Sequence, residues 1–240
     1  MYAIGVGKNK KEVLIAVENL KKEGILVETV EDSEELIQGL LSRKYEGVIR
    51  GTLSSSEVIP KLKEKIGRFY RASILKNPFT GQVFLLTPVG IDEIKDDFSD
   101  KLDIIKYSSE FIQAIGLIPK IGLLSAGRLS DVGRSLKIDE SIENCEEILK
   151  KVKNSNELMN VQIEHRGILI EEYLKDGFNI IVADDGISGN LLFRVFALVF
   201  EIEGFGAIIL NSEKVKFIDT SRSGDSKRYY NAVKFLKNGF

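Results

Sequence analysis

Apolar positions along this chain follow two alternating rhythms. Short apolar runs read as buried strands, and longer stretches with apolar residues three and four apart read as amphipathic helices. AIGVG predicts a strand, KEVLIAVENLKKEG a helix ended by Gly24, ILVETV a second strand, and SEELIQGLLSRK a helix capped by Ser33. EGVIRG follows as a strand and SEVIPKLKEKIG as a helix. FYRASILKNPFTGQVFLLTP reads as two strands joined through Asn77, Pro78, Thr80 and Gly81. The polar stretch IDEIKDDFSDK reads as a lobe boundary. Beyond it KLDIIKYSSEFIQAIG, DESIENCEEILKKVK and GILIEEYLKDG are helical, alternating with the strands KIGLLSA, NVQIEH and NIIVAD. LLFRVFALVFEIEG, apolar on nearly every side, predicts a buried helix starting near Asn190. AIILN and KVKFIDTS are strands, and DSKRYYNAVKFLKN closes the chain as a helix. Alternation on this scale predicts an α/β fold of mostly parallel sheets with helices on both faces.

Parallel sheets take ligands outside the carboxyl ends of their strands, where helix N-termini favour anions. Four loops fall at such ends. Gly51-Thr52-Leu53-Ser54-Ser55-Ser56 offers hydroxyls and amides, or an N-cap with solvated serines. The loop Ser125 to Ser135 holds Gly127, Arg128, Ser130, Asp131 and Arg134, and its guanidinium forks match phosphate geometry. Asp184-Asp185, Gly186 and Gly189-Asn190 follow a buried strand; the paired carboxylates suit Mg²⁺ or, preferably, helix capping. Ser221-Arg222-Ser223-Gly224 offers an arginine clamp, with Ser223 or Asp225 as a helix cap. Gly5-Val6-Gly7 lacks the third glycine of a dinucleotide fingerprint, Lys10 standing there, so a tight turn is preferred even with Glu28 near the ribose position.

At 240 residues the chain has room for one large domain or two joined lobes. Its 34 basic and 36 acidic residues, without a basic block, argue against nucleic acid. No segment reads as a signal peptide or bilayer span, which predicts a cytoplasmic protein away from membranes. The single cysteine, Cys145 among glutamates, reads as helix packing, and no cysteine-based zinc site is available. The single histidine, His165, stands at a strand end, giving a Cys–His or Ser–His–Asp catalyst little support. Abundant Lys, Glu and Ile with no Trp point to a thermophilic source.

YEGVIRGTLSSSEVIPKL, SSEFIQAIGLIPKIGLLSAGRLSD, NIIVADDGISGNLLFRV and FIDTSRSGDSKRYYNAVKF, in this order, resemble the motifs of the phosphate acetyl/butyryl transferase (phosphotransacetylase) family. Within it the chain is most similar to a methanogen-restricted branch related to methyltransferase subunits. The resemblance implies an isocitrate/isopropylmalate-dehydrogenase-like fold, two-lobed, with a ligand cleft between the lobes and a homodimeric assembly. The lobes would be residues 1–95 plus 212–240, and 96–211. It implies that Ser221 and Arg222 bind the phosphate of an acyl-phosphate and act in catalysis. Thr52, Ser54, Ser125, Gly127, Arg128, Ser130, Gly189 and Asn190 would line the substrate site. The resemblance names no metal; coenzyme A or an acyl-phosphate would be substrate, and methyltransferase subunits would be partners. Arg228 and Ile168 stand where the family carries acids, although Glu164 is kept. That pattern implies ligand binding that outlasts the transacetylase reaction. A metal- and NAD-dependent dehydrogenase on the same fold is disfavoured by Lys10 and the sparse carboxylates.

Overall fold

A computed structural model describes residues 1–212 and 215–238. They form two compact units, Met1–Phe69 with Glu203–Phe240, and Tyr70–Ile202.

The first unit opens with β1 (Tyr2–Gly5), α1 (Lys11–Lys22), β2 (Val27–Val30), α2 (Ser33–Leu41), β3 (Gly47–Ile49) and α3 (Ser55–Ile66). The second holds β4 (Arg71–Lys76), β5 (Val83–Thr87), α4 (Asp97–Ala114), β6 (Lys120–Leu123), α5 (Leu136–Lys153), β7 (Gln162–His165), α6 (Ile170–Lys175), β8 (Ile180–Val182) and α7 (Gly186–Arg194). The chain then returns to the first unit for β9 (Gly204–Ile209), β10 (Phe217–Asp219) and α8 (Ser226–Asn238). Lys214, inside the expected strand KVKFIDTS, lies outside the described residues.

In the first unit the strand order is β2-β1-β3-β10-β9, with β9 antiparallel to β10 and the others parallel. Helices cover both faces, as strand alternation requires. Val48 joins the core cluster with Leu36 and Ile37 of α2 and Val58 and Leu62 of α3. Its neighbour Gly47 faces the other way, toward Leu236 of α8. In the second unit the order is β4-β5-β8-β6-β7, antiparallel only between β4 and β5. Leaving β6 the chain moves to β7 on one side, and β8 lies on the other. In parallel sheets such a reversal marks the usual ligand edge, here the carboxyl ends of β6 and β8. β8 is buried along its whole length, and α5 presents Ser141, Ile142, Cys145, Ile148 and Val152 to the core. Among the described residues no helix is long and apolar enough to cross a membrane.

Four expectations change. The stretch 91–101 is no boundary. Asp100 accepts the amides of Lys95 (2.6 Å) and Asp96 (2.9 Å) and the Tyr70 hydroxyl (2.9 Å), while Arg71 pairs with Glu93 at 2.5 Å. These bonds tie the stretch to the start of β4, so the units divide at Phe69/Tyr70 and Ile202/Glu203. α2 is capped by Asp32, which accepts the Glu35 amide at 2.8 Å; Ser33 accepts from Lys61 at 2.6 Å instead. α7 begins at Gly186, capped by Asp185, rather than near Asn190. The helix and its continuation, a π-helical turn at Val195–Val199, are not buried all round: Ala197 is covered, but Ile187, Leu191, Val199 and Phe200 are 63–70% exposed.

Candidate functional site

At the strand ends of the first unit, small residues let loops press together. A Cβ on Gly51 would overlap the Gly5 carbonyl oxygen, and one on Gly7 would lie 2.5 Å from that of Thr52. Gly51 also needs its positive φ of 62°. Close backbone approach therefore accounts for the Gly5-Val6-Gly7 turn. Thr52 is buried and its Oγ1 accepts the Gly7 amide at 2.8 Å. Ser54 stands at the N-cap of α3, but its hydroxyl pairs with that of Ser56 at 2.8 Å and caps no amide.

The loop after β10 is bound to this cluster. Buried Arg50 donates to Asp219 and to the carbonyls of Leu53 and Thr220, and the Thr220 hydroxyl donates to the Gly51 carbonyl at 3.2 Å. The Ser221 carbonyl accepts the Tyr229 hydroxyl at 2.9 Å, and Ser221 Oγ accepts the Ser223 amide at 3.2 Å. Arg222 is exposed, and among the described residues it forms no ion pair. Asp225, not Ser223, accepts the Arg228 amide at 2.8 Å, and Arg228 itself is buried. Thr52, Ser54, Ser221 and Arg222 thus share one edge.

In the second unit Ser125, Gly127, Arg128 and Ser130 occupy one loop leaving β6. Ser125 and Gly127 are buried, Arg128 and Ser130 exposed. The loop is fastened at its root. The Ala126 amide donates to Ser141 Oγ at 2.9 Å, which donates to Asp184 at 2.6 Å; Lys101 lies 3.6 Å from Asp184 and 2.9 Å from Asp97. Further out Asp131 accepts from Arg134 at 2.8 Å and from the Arg128 amide at 2.9 Å. These bonds, the Arg134 one foremost, hold its carboxyl below the usual range. Gly167, at a φ of 68°, brings the loop after β7 to 2.6 Å between its virtual Cβ and the Gly127 oxygen.

Gly189 and Asn190 serve a different contact. Cβ atoms on Gly186 and Gly189 would overlap the carbonyl oxygens of Gly90 and Pro88, and Asn190 Nδ2 donates to the Val89 carbonyl at 2.9 Å. They dock α7 onto the segment after β5, not onto the Ser125 loop. Asp185 closes a capping box with Ser188, at 2.7 and 3.0 Å. Burial opposes its ionisation, but the Ser188 amide and hydroxyl and the Ile187 amide hold its pKa below the ordinary value. Glu164 pairs with Arg166 at 2.6 Å, and Ile168 is half exposed. Cys145 is buried, its thiol pushed up to about 12 chiefly by desolvation. Among the described residues no group of three His, Cys, Asp or Glu side chains could hold a metal ion.

Lys101, Ser141, Glu146 and His165 do the local fastening, and of these only His165 stood out in the sequence. Ser141 left a signal, being a polar residue on an otherwise apolar helix face.

No protein-family model matches the chain. It is 54% identical to a Methanocaldococcus jannaschii protein named as an uncharacterized methyltransferase, over 100% of this chain and 98% of that one. A Methanosarcina barkeri protein, named as methyltransferase mtx subunit X, is 39% identical over 83% of this chain and 71% of its own. Among solved structures, a branched-chain phosphotransacylase from Enterococcus faecalis superposes with a TM-score of 0.74 at 17% identity, covering 99% of this chain and 98% of that one. A Salmonella typhimurium protein described as a 4-hydroxythreonine-4-phosphate dehydrogenase gives 0.64 at 9% identity, covering 98% of each. At such identities the likeness is one of fold.

Proposed function

The chain belongs to the family of the mtx subunit X proteins, and from that premise we propose that it is a phosphotransacetylase-like protein that binds an acyl-phosphate or coenzyme-A-type ligand, linked to methanogenesis and working as a cytoplasmic homodimer. The observation that carries this reading is Arg222, exposed at the carboxyl end of β10 with no ion-pair partner among the described residues. A guanidinium there, one residue from the Ser221 hydroxyl, is ready to donate a fork of hydrogen bonds to a phosphate. Within the second unit, taken by itself, the Ser125–Ser130 loop offers Arg128 and loop amides to an anion. Thr52 acts by shaping the first unit's edge, whereas Gly189-Asn190 serve the docking of α7.

If the transfer reaction runs, a thiolate attacks the acyl carbonyl, the bond from the acyl carbon to the phosphate oxygen breaks, and Arg222 stabilises the departing phosphate. A base for the thiol is the weak part of this scheme. The family's acid position is Arg228, and Glu164 is committed to Arg166. We therefore expect binding to outlast turnover. In an acetyl-phosphate/CoA exchange assay beside thermal unfolding, phosphate should raise the melting temperature of the native protein. Arg222→Ala should lose most of that rise. No exchange together with no phosphate-dependent shift would end the reading.

The names of the relatives favour a second reading, a methyltransferase-associated subunit. Capture from native extract decides: a stable corrinoid or methyltransferase partner supports it, and an isolated dimer counts against it.

A further inference from the structure

His165 has a ring with 0% side-chain exposure and two polar neighbours. Nδ1 lies 2.6 Å from a carboxylate oxygen of Glu146 on α5, and Nε2 lies 2.9 Å from Ser125 Oγ. Ser125 Oγ is in turn 3.1 Å from the Gly127 carbonyl oxygen. Counting donors couples these three bonds. A carboxylate only accepts, so Nδ1 carries a proton. If the ring is neutral, Nε2 holds a lone pair, the Ser125 hydroxyl donates to it, and the Gly127 carbonyl loses its donor. If the ring is an imidazolium, Nε2–H donates to Ser125 Oγ and the hydroxyl is released to Gly127. Only the imidazolium satisfies all three contacts at once. The charge on the ring and the closure of the Ser125–Gly127 turn are one event. A nucleophile–base–acid triad is not what this is: Ser125 is 2% exposed and the solvent-facing member is Glu146, so no face is offered to a carbonyl.

We propose that His165 is a positioning residue of the anion site: its imidazolium form holds the closed Ser125–Gly127 turn, so a phosphate-like anion binds the Ser125–Ser130 loop more tightly when His165 is protonated. The assignment rests on the anion-binding reading of this loop. Two effects act with the same sign. The imidazolium adds positive charge behind the loop, and the closed turn orders the amides that would hold the ligand. Other titrating groups near the ring are accounted for. From α5 come Glu146 and Cys145, whose thiol, pushed up to about 12, stays neutral. On its own strand Glu164 is paired with Arg166 and held below the usual carboxylate range. From α6 the Tyr173 hydroxyl, raised by burial, donates to the Leu123 carbonyl at 2.8 Å. His165 is the only histidine of the chain, so imidazole signals report on one side chain.

That also makes the test direct, because a single imidazole resonance in the proton–carbon NMR spectrum of the whole protein follows the titration. Sulfate is the probe, since it keeps its charge throughout the titration. Saturating sulfate should move the titration midpoint upward, one pH unit corresponding to about tenfold tighter binding by the protonated form. In His165→Gln the amide can donate to Ser125 at every pH, so sulfate affinity should be equal at pH 5.5 and 8. Sulfate that binds the native protein and leaves the midpoint unmoved overturns the assignment while the anion-binding reading stands. Failure of sulfate to bind at either pH overturns both. If the variant does not fold, the native titration alone decides.

Discussion

At the scale of single residues, one atom's room separates a packing role from a binding role. The Gly189-Asn190 pair sits where the family resemblance implies a ligand wall, yet both residues are engaged with backbone. A Cβ on Gly189 would overlap the Pro88 oxygen, and Asn190 bonds Val89 at 2.9 Å. Gly189→Ala should therefore push α7 off the segment after β5 and cost about 1–3 kcal/mol, as overpacking of a close contact does. The denaturant midpoint should fall with its slope unchanged, and the phosphate-induced rise in melting temperature should survive. A midpoint equal to wild type together with a lost phosphate response would return Gly189 to the ligand. Sequence reading recognised these small residues as special without finding what they approach. The partners lie far off in the chain, as with Gly7 and Thr52, whose 2.8 Å bond spans 45 positions. His165 is the same case, since neither Ser125 nor Glu146 stands near it in sequence.

At the scale of elements, rhythm located almost every strand and helix, and the ends were less legible than the middles. The start of α7 is set by Asp185, whose carboxylate takes the Ser188 amide while the Ser188 hydroxyl takes the Asp185 amide. Removing it in Asp185→Ala should cost about 1 kcal/mol at neutral pH, the usual worth of an N-cap. The sign of its pH dependence follows from a folded-state pKa below the ordinary value. Such a group adds stability that is present above the unfolded carboxylate pKa, near 4, and lost as pH falls through the folded one. The gap in melting temperature between wild type and Asp185→Ala should thus narrow on going from pH 7 to pH 3. Asp185→Asn, which caps without charge, should keep its own margin over Ala at both. A gap that widens in acid would refute the capping account. The apolar run after Asn190 misled for a different reason. Hydrophobicity says that a face avoids water and does not say what covers it, and Val199 and Phe200 are each 70% exposed.

At the scale of the whole molecule the parallel α/β class was legible because strand–helix alternation is a property of the entire chain. The division into units was not, because it depends on side-chain ties rather than on composition. The polar stretch 91–101 reads as a lobe boundary in the sequence, but Asp100 and Glu93 fasten it to Tyr70 and Arg71. One consequence concerns how the units are threaded. The first unit closes only when β10 pairs with β3, so its sheet waits for residues from both ends of the chain. The second unit is one uninterrupted segment, Tyr70–Ile202, with the neighbouring strands β4-β5-β8-β6-β7 and a core that includes Phe84, Ile104, Ile121, Tyr173 and Ile181. A segment with few long loops to close and a complete core has what an autonomous domain needs. Expressed alone, residues 70–202 should give dispersed amide resonances and a single cooperative urea transition. A fragment with collapsed dispersion and a gradual, non-cooperative loss of helical signal would show that its fold depends on the first unit.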